Sequence, residues 1–186
     1  MLFRSEGQAY GNLGIDYYSL GDFRKSTEHH ERHLKIAKDV GDQAGEGRAN
    51  ANLGTNYFGR GDLKKAIEYH KRNLEIANKV GDKAGKALSL SILAQIFESQ
   101  KAPLKAISFY TSSLTMYNEV RASLQFKDEW KISYRETYNH TYRKLWRLYL
   151  NQDQVLNALF TAENGRAQAL QDLMEAKYTL DRKSVV

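Results

Sequence analysis

A segment that recurs every 40 residues constrains this chain more than any other feature. The segment at residues 51–82 reads ANLGTNYFGRGDLKKAIEYHKRNLEIANKVGD, and residues 11–42 read GNLGIDYYSLGDFRKSTEHHERHLKIAKDVGD. A more divergent copy, SILAQIFESQKAPLKAISFYTSSLTMYNEV, follows at residues 91–120. A fixed period of this size is typical of stacked units, each of which buries its apolar face against its neighbours. We therefore expect function on the surface of an array and not in a single cleft.

Gly-Asp doublets punctuate the repeats every twenty residues, at Gly21-Asp22, Gly41-Asp42, Gly61-Asp62 and Gly81-Asp82. A glycine just past a helix end accepts the left-handed conformation that closes the helix. An aspartate directly after it can cap the next helix by accepting a backbone N–H. The doublets therefore predict antiparallel helical hairpins, with helices near residues 4–20, 22–40, 43–60, 62–80, 83–100 and 103–120.

The first helix of each pair carries a leucine, a small residue and an aromatic residue at fixed spacing. These are Leu13, Gly14 and Tyr17, then Leu53, Gly54 and Tyr57, then Leu93, Ala94 and Phe97. The second helices share a small residue at Ser26, Ala66 and Ala106. Small residues at these positions predict places where two helices approach closely.

The Leu-Gly-x-x-Tyr spacing and the small residue of the second helix resemble the tetratricopeptide repeat. The short motifs Asn-Leu-Gly, Gly-Asp and Leu-x-Ile-Ala are similar to those of the 40-residue Leu-Gly-Asn subclass of this repeat. That subclass is found in G-protein-signalling modulators and large multi-repeat scaffolds. This resemblance covers about residues 5–120. It implies an all-α fold, a right-handed α-solenoid of stacked antiparallel helix pairs. We expect three repeats, at about residues 4–42, 43–82 and 83–120.

Residues 121–186 are expected to hold a divergent fourth repeat and a C-terminal connecting helix. Leu145 and Tyr149 restore the leucine–aromatic spacing, and Ala158 supplies the small residue. The sequence of residues 158–178 is similar to the helix that joins the last repeats to the caspase-like CHAT domain in some tetratricopeptide proteins. That resemblance implies a chain that is part, or a truncated relative, of a longer protein.

The composition is that of a folded protein, with 41% apolar and 27% charged residues. There are no cysteines, which fits a reducing compartment, and we expect a cytoplasmic location. The first residues lack the apolar core of a signal peptide, and no run approaches the ~18 apolar residues of a membrane span. The formal net charge is +6, but acidic and basic residues alternate, which favours solvated helix faces over a nucleic-acid footprint.

No motif for catalysis or phosphate binding is present, so we expect no enzyme activity, no cofactor and no small-molecule substrate. His29, His30 and His33 lie within five residues, and a pair one turn apart could bind a metal ion. However, His30 shares its repeat position with His70 and Tyr110, which indicates packing of a ring. A zinc site would need a further ligand, and we predict no metal site.

Residues 127–150 interleave aromatic and basic side chains. Rings recur at every fourth position, at Trp130, Tyr134, Tyr138, Tyr142 and Trp146. Such a pattern can stack nucleic-acid bases. The alternative is a long helix with its aromatic residues inside and its charges outside, and we favour this packing interpretation.

The resemblance implies that the first helices line the concave side of the array and face a ligand. A projection at 100° per residue separates one set of side chains from the leucine–tyrosine ridge. The set comprises Gln8, Asn12, Ile15, Arg48, Asn52, Thr55 and Gln95. An asparagine amide can hold a peptide backbone through its donor and its acceptor. An interhelical hydrogen bond explains Asn12 and Asn52 equally well.

We therefore expect a protein-interaction scaffold that binds a peptide or partner segment in the concave groove. One alternative is an accessory sensor module of a longer CHAT-type protein. A second is nucleic-acid binding through residues 127–150. The terminal Ser184-Val185-Val186 would also suit strand addition to a PDZ domain.

Overall fold

The computed structural model describes residues 2–123 and 128–167, with side chains for residues 4–123 and 138–167. The helices are α1 Leu2–Ser19, α2 Phe23–Asp39, α3 Gln43–Gly59, α4 Leu63–Val80, α5 Lys83–Ser99, α6 Pro103–Ser123 and α7 Asp128–Asn151, followed by α8 at residues 155–167. This described part contains no β-strand and no helix long and apolar enough to cross a membrane. The terminal Ser184-Val185-Val186 and part of the aromatic–basic segment lie outside it.

Each Gly-Asp doublet ends one helix and begins the next, as the sequence predicts. The four glycines have φ between +67° and +79°. Each following aspartate accepts the backbone N–H three residues later through Oδ1, at 2.9 to 3.1 Å. The bounds of α1 to α6 lie within three residues of the predicted ones because the stop and the cap are both encoded locally.

Two later turns reach the same geometry without glycine. Lys101, between α5 and α6, and Asp153, between α7 and α8, both have φ of 55°. Ala102 N–H donates to Phe97 O, and Gln154 N–H donates to Tyr149 O, each at 2.9 Å. The α7/α8 pair is therefore a structural copy of the α5/α6 pair, displaced by 52 residues.

The helices form an all-α solenoid of stacked antiparallel pairs. Each helix packs against the next one along the chain, and first helices also contact each other, as α1 and α3 do. The repeat boundaries that the sequence suggests stay a prediction.

The leucines of the first helices show how the pairs share one core. Leu53 and Leu93 are 0% and 1% exposed, in a cluster with Leu34 and Leu74 of the preceding second helices. Leu13 holds the same place in α1 but is 42% exposed, because no described residue precedes that helix. Burial of each pair therefore depends on its neighbour, which is typical of a solenoid.

Candidate functional site

A ring from the second helix fills the notch beside each small residue of the first helix. The ring and small residue pair as His30 with Gly14, His70 with Gly54 and Tyr110 with Ala94, and all six residues are buried. A Cβ atom on Gly54 would lie 2.7 Å from His70 Cδ2 and Nε2. The first helix therefore needs a small residue at this position to leave room for the ring. His30 and His70 are core residues. Among the described side chains, no group of three metal-binding residues clusters.

Burial makes the two histidines of this set poor bases. Desolvation lowers the pKa of His70 to about 4, and desolvation together with the nearby His33 and His29 lowers the pKa of His30 to about 4. Both rings are therefore uncharged at neutral pH. His70 Nδ1 lies 3.0 Å from Ser89 Oγ, which also accepts a hydrogen bond from Asn73 Nδ2 at 2.8 Å. This polar contact joins α4 to α5.

Asn56 is an interhelical clamp that the sequence did not reveal. Its Nδ2 donates to Phe23 O at 3.0 Å and to Thr27 Oγ1 at 2.8 Å, and the residue is fully buried between α2 and α3. Asp16 and Ile96 hold the same place in α1 and α5. Because neither Asp16 nor Ile96 has the amide N–H that donates in this contact, the repeat pattern carried no signal for it.

The seven predicted groove residues lie on the first helices, away from the buried ridge. Gln8, Asn12, Ile15 and Arg48 are exposed, whereas Asn52, Thr55 and Gln95 are half-buried. Within the described part of the chain, the side chains of Asn12 and Asn52 make no hydrogen bond. The interhelical explanation for these two asparagines is therefore not what the structure shows.

A charged cluster connects α1 and α3 at this surface. Arg4 Nε lies 3.3 Å from Asp42 Oδ2, and the Arg48 guanidinium approaches the same oxygen at 4.0 Å. The other Asp42 oxygen caps α3 through the Gly45 N–H. Behind this cluster, burial and the Arg48 charge lower the pKa of His33, and Asp42 opposes them. Arg48 is half-exposed and too far from Asp42 for a hydrogen bond, so its guanidinium can bind a further anion.

The described part of the aromatic–basic segment supports the packing interpretation. Tyr138 and Tyr142 are buried in the core with Tyr117 and Leu145. Lys144 forms an ion pair with Glu98 of α5 at 3.4 Å. Neither buried ring is free to stack on a base.

Comparisons with known proteins agree on the repeat. Sequence models described as tetratricopeptide repeat match residues 9–44 and 45–119, which together make more than half of the chain. No curated protein matches at a significant level.

Several solved structures share the fold at low identity. The TPR domain of Arabidopsis FLU is 20% identical, with a TM-score of 0.57 over 61% of this chain and 95% of that one. RapI in its apo form is 17% identical, with a TM-score of 0.74 over 91% of this chain and 44% of that one. A STAND protein with a tetratricopeptide repeat sensor, from Pyrococcus horikoshii, is 18% identical, with a TM-score of 0.69 over 94% of this chain and 25% of that one. This chain thus spans less than half the length of the last two.

Proposed function

Because the chain is a tetratricopeptide repeat protein, we propose that it is an interaction scaffold that binds a segment of a partner protein along its first helices. One observation carries the proposal. Asn12 and Asn52, on one side of α1 and α3, are accessible and make no side-chain hydrogen bond within the described residues, and the guanidinium of Arg48 on the same side makes one ion pair there, with Asp42 at 4.0 Å. A polar group that is placed on a rigid helix and has no protein partner is available to a ligand.

The proposed mechanism separates the roles of two side chains. The Asn52 amide donates to and accepts from the ligand backbone, which fixes its register. The Arg48 guanidinium holds a carboxylate of the ligand, since its planar fork matches that group. The other predicted residues, Gln8, Asn12, Ile15, Thr55 and Gln95, extend the contact surface on either side.

The stack also lowers the cost of binding. The Asn56 clamp between α2 and α3 and the contact from Asn73 to Ser89 between α4 and α5 hold the first helices in fixed relation. A preformed surface loses less conformational entropy on binding than a flexible one. We therefore expect affinity to depend on the integrity of the whole array.

The binding test uses the intact chain and a partner segment recovered with it and mapped to a peptide. Arg48→Ala and Asn52→Ala should each weaken the affinity by roughly 1–3 kcal/mol, because each leaves a polar group of the ligand unpaired. Both variants should keep the helical content and the thermal midpoint of the parent.

Asn56→Ala is the matched control, since it removes an amide of the same size one turn further along α3. It should lower stability by about 1–3 kcal/mol and weaken the affinity of the folded chain less than Asn52→Ala does. Unaltered affinity in both Arg48→Ala and Asn52→Ala would refute the proposed site. Loss of stability in Asn52→Ala would instead make Asn52 a structural residue.

The relation to CHAT-linked proteins and the assignment to the 40-residue subclass stay predictions. Part of the sequence behind the CHAT resemblance lies in α8. There, a Cβ atom on Gly165 would lie 3.2 Å from Tyr142 Cγ, so helix packing already explains a small residue at that position.

A further inference from the structure

A wide groove opens between α7 and α8, at the end of the array opposite α1. Its volume is about 930 Å³, and Tyr142, Trp146, Leu150, Leu159 and Ala162 form much of its wall. Leu150 and Leu159 are 41% and 56% exposed there. Arg143 and Arg166 also line it, and Arg166 forms an ion pair with Glu163, so the apolar wall carries one cationic group without a described partner. It lies outside the surface proposed above for the partner segment.

The displacement of 52 residues shows how this pair differs from the others. Trp146 takes the place of Ala94 and Gly54, and Ala162 takes the place of Tyr110 and His70. The large and small members of the notch have thus exchanged helices. Because Ala162 supplies no ring, the space on the α8 side stays open.

The equivalent surface of each earlier pair is covered by the first helix of the next pair. Ser91 of α5 holds the place of Arg143, and it is buried because α7 covers it, with Ser91 Oγ 3.5 Å from Thr141 Oγ1. Arg143 itself is exposed, and no described carboxylate pairs with it. In the earlier pairs a helix occupies the equivalent space. The groove therefore has a shape that fits a helix.

The covering helices share one pattern. A small residue, a leucine and an aromatic residue follow one another at four-residue spacing, as Ala49, Leu53 and Tyr57 in α3, Ser89, Leu93 and Phe97 in α5, and Thr141, Leu145 and Tyr149 in α7. The contact from Thr141 to Ser91 places the small residue of α7 beside the position that Arg143 holds. Ser89 of α5 contacts His70 and Asn73, whose places in α8 are Ala162 and Gly165, so this position borders both helices of the groove. A helix that covers Arg143 would bury its charge without a partner, unless the helix carried a carboxylate at the position of the small residue.

We propose that the groove between α7 and α8 binds an amphipathic helix of a partner protein, with a carboxylate one turn before a leucine and an aromatic residue one turn after it. The leucine and the aromatic side chain would fill the apolar groove. The carboxylate would pair with Arg143 through charge-assisted hydrogen bonds.

Neither a second copy of the chain nor residues 168–186 fits this pattern. In α1, Ala9 stands where the carboxylate is needed, and Asp16 takes the place of Asn56. That position would face Leu159, which holds the place of Thr27, so a charge would meet an apolar side chain. The sequence of residues 168–186 has no carboxylate at the required distance from a leucine and an aromatic residue.

The probe is a capped synthetic peptide of residues 83–99, the α5 sequence, carrying S89E. The peptides with Ser89 unchanged and with S89K serve as controls. Trp130→Phe in the full chain leaves Trp146 as the one tryptophan, whose fluorescence reports occupancy of the groove. The S89E peptide should shift this emission to the blue and bind at least about tenfold more tightly than the S89K peptide.

Arg143→Glu should reverse the order, so that the S89K peptide binds more tightly than the S89E peptide. Arg48→Ala should leave both affinities unchanged, which separates this groove from the surface on α1 and α3. Equal affinity for all three peptides, or no saturable binding of any, would overturn the proposal. So would a dimeric mass in solution that Leu13→Asp returns to that of a monomer, since a second copy would then occupy the groove.

Discussion

The α3/α4 pair and the α7/α8 pair have the same backbone plan and opposite side-chain sizes at their notch. In α3/α4 the first helix has Gly54 and the second has His70, and the ring is fully buried. In α7/α8 the first helix has Trp146 and the second has Ala162, and a groove opens beside them. The helix pair thus tolerates either distribution of ring and small residue. In α7/α8, Ala162 supplies no ring and no described helix covers the pair, so the side that is closed in α3/α4 is open.

The residue at the ring position also differs in chemistry from pair to pair. It holds His30 and His70 in the first two pairs, Tyr110 in the third and Ala162 in the last. Only the histidines can change charge between neutral and mildly acidic pH. Stability at low pH and tolerance to larger side chains should therefore differ along the array.

The largest expected effect is a loss of stability in acid. His30 and His70 have an ordinary pKa of 6.5 that burial lowers to about 4. The unfolded chain therefore binds more protons than the folded one below about pH 6.5. The stabilisation from the neutral rings is complete above that pH and is lost as the pH falls towards 4, by up to on the order of 3 kcal/mol per histidine.

Urea unfolding at several pH values between about 7 and 4.5 measures this loss. The double variant Gly54→Ala/His70→Tyr, which copies the third pair, should flatten the pH dependence relative to the parent. A free energy of unfolding that does not change over this range in the parent would contradict the buried, neutral histidines.

A smaller effect is expected from filling the closed notch. Gly54→Leu forces a side chain into the space of the His70 ring and should destabilise the chain by roughly 1–3 kcal/mol. Gly54→Leu/His70→Ala should recover part of this loss, because it copies the distribution of the α7/α8 pair. Thermal unfolding of the two variants measures the difference. An unchanged midpoint in Gly54→Leu would contradict the conclusion that the His70 ring fills the notch at Gly54.

The smallest effect is expected from the same kind of change in the open pair. Ala162→Leu directs its added atoms into a groove of about 930 Å³ and should shift the free energy of unfolding by less than about 0.5 kcal/mol. A cost as large as that of Gly54→Leu would show that the groove is closed in solution. The difference in unfolding free energy between Gly54→Leu and Ala162→Leu therefore tests whether the α7/α8 groove is open.

The helices and turns could be predicted because their signals are local. Each Gly-Asp doublet encodes a stop and a cap within two residues, so the bounds followed from the sequence. The Asn56 clamp could not be predicted, because one position of one repeat makes it. The exchange of Trp146 with Ala162 could have been found, since Leu145, Tyr149 and Ala158 already fixed the displacement of 52 residues.

The predicted surface on α1 and α3 rests on angular position alone. The projection separated Arg48 and Asn52 from the buried ridge, and the structure places both at accessible positions. It could not show that Arg48 lies beside Asp42, because that contact joins a helix to its own cap across two turns. Charge clusters of this kind depend on side-chain conformations that periodicity does not encode.

Hydrogen–deuterium exchange of the chain with and without a bound partner segment tests whether the partner binds to the first helices. We expect added protection in peptides from α1, α3 and α5, strongest around Asn52, and little change in α2, α4 and α6. Protection confined to the second helices would contradict a binding surface on the first helices.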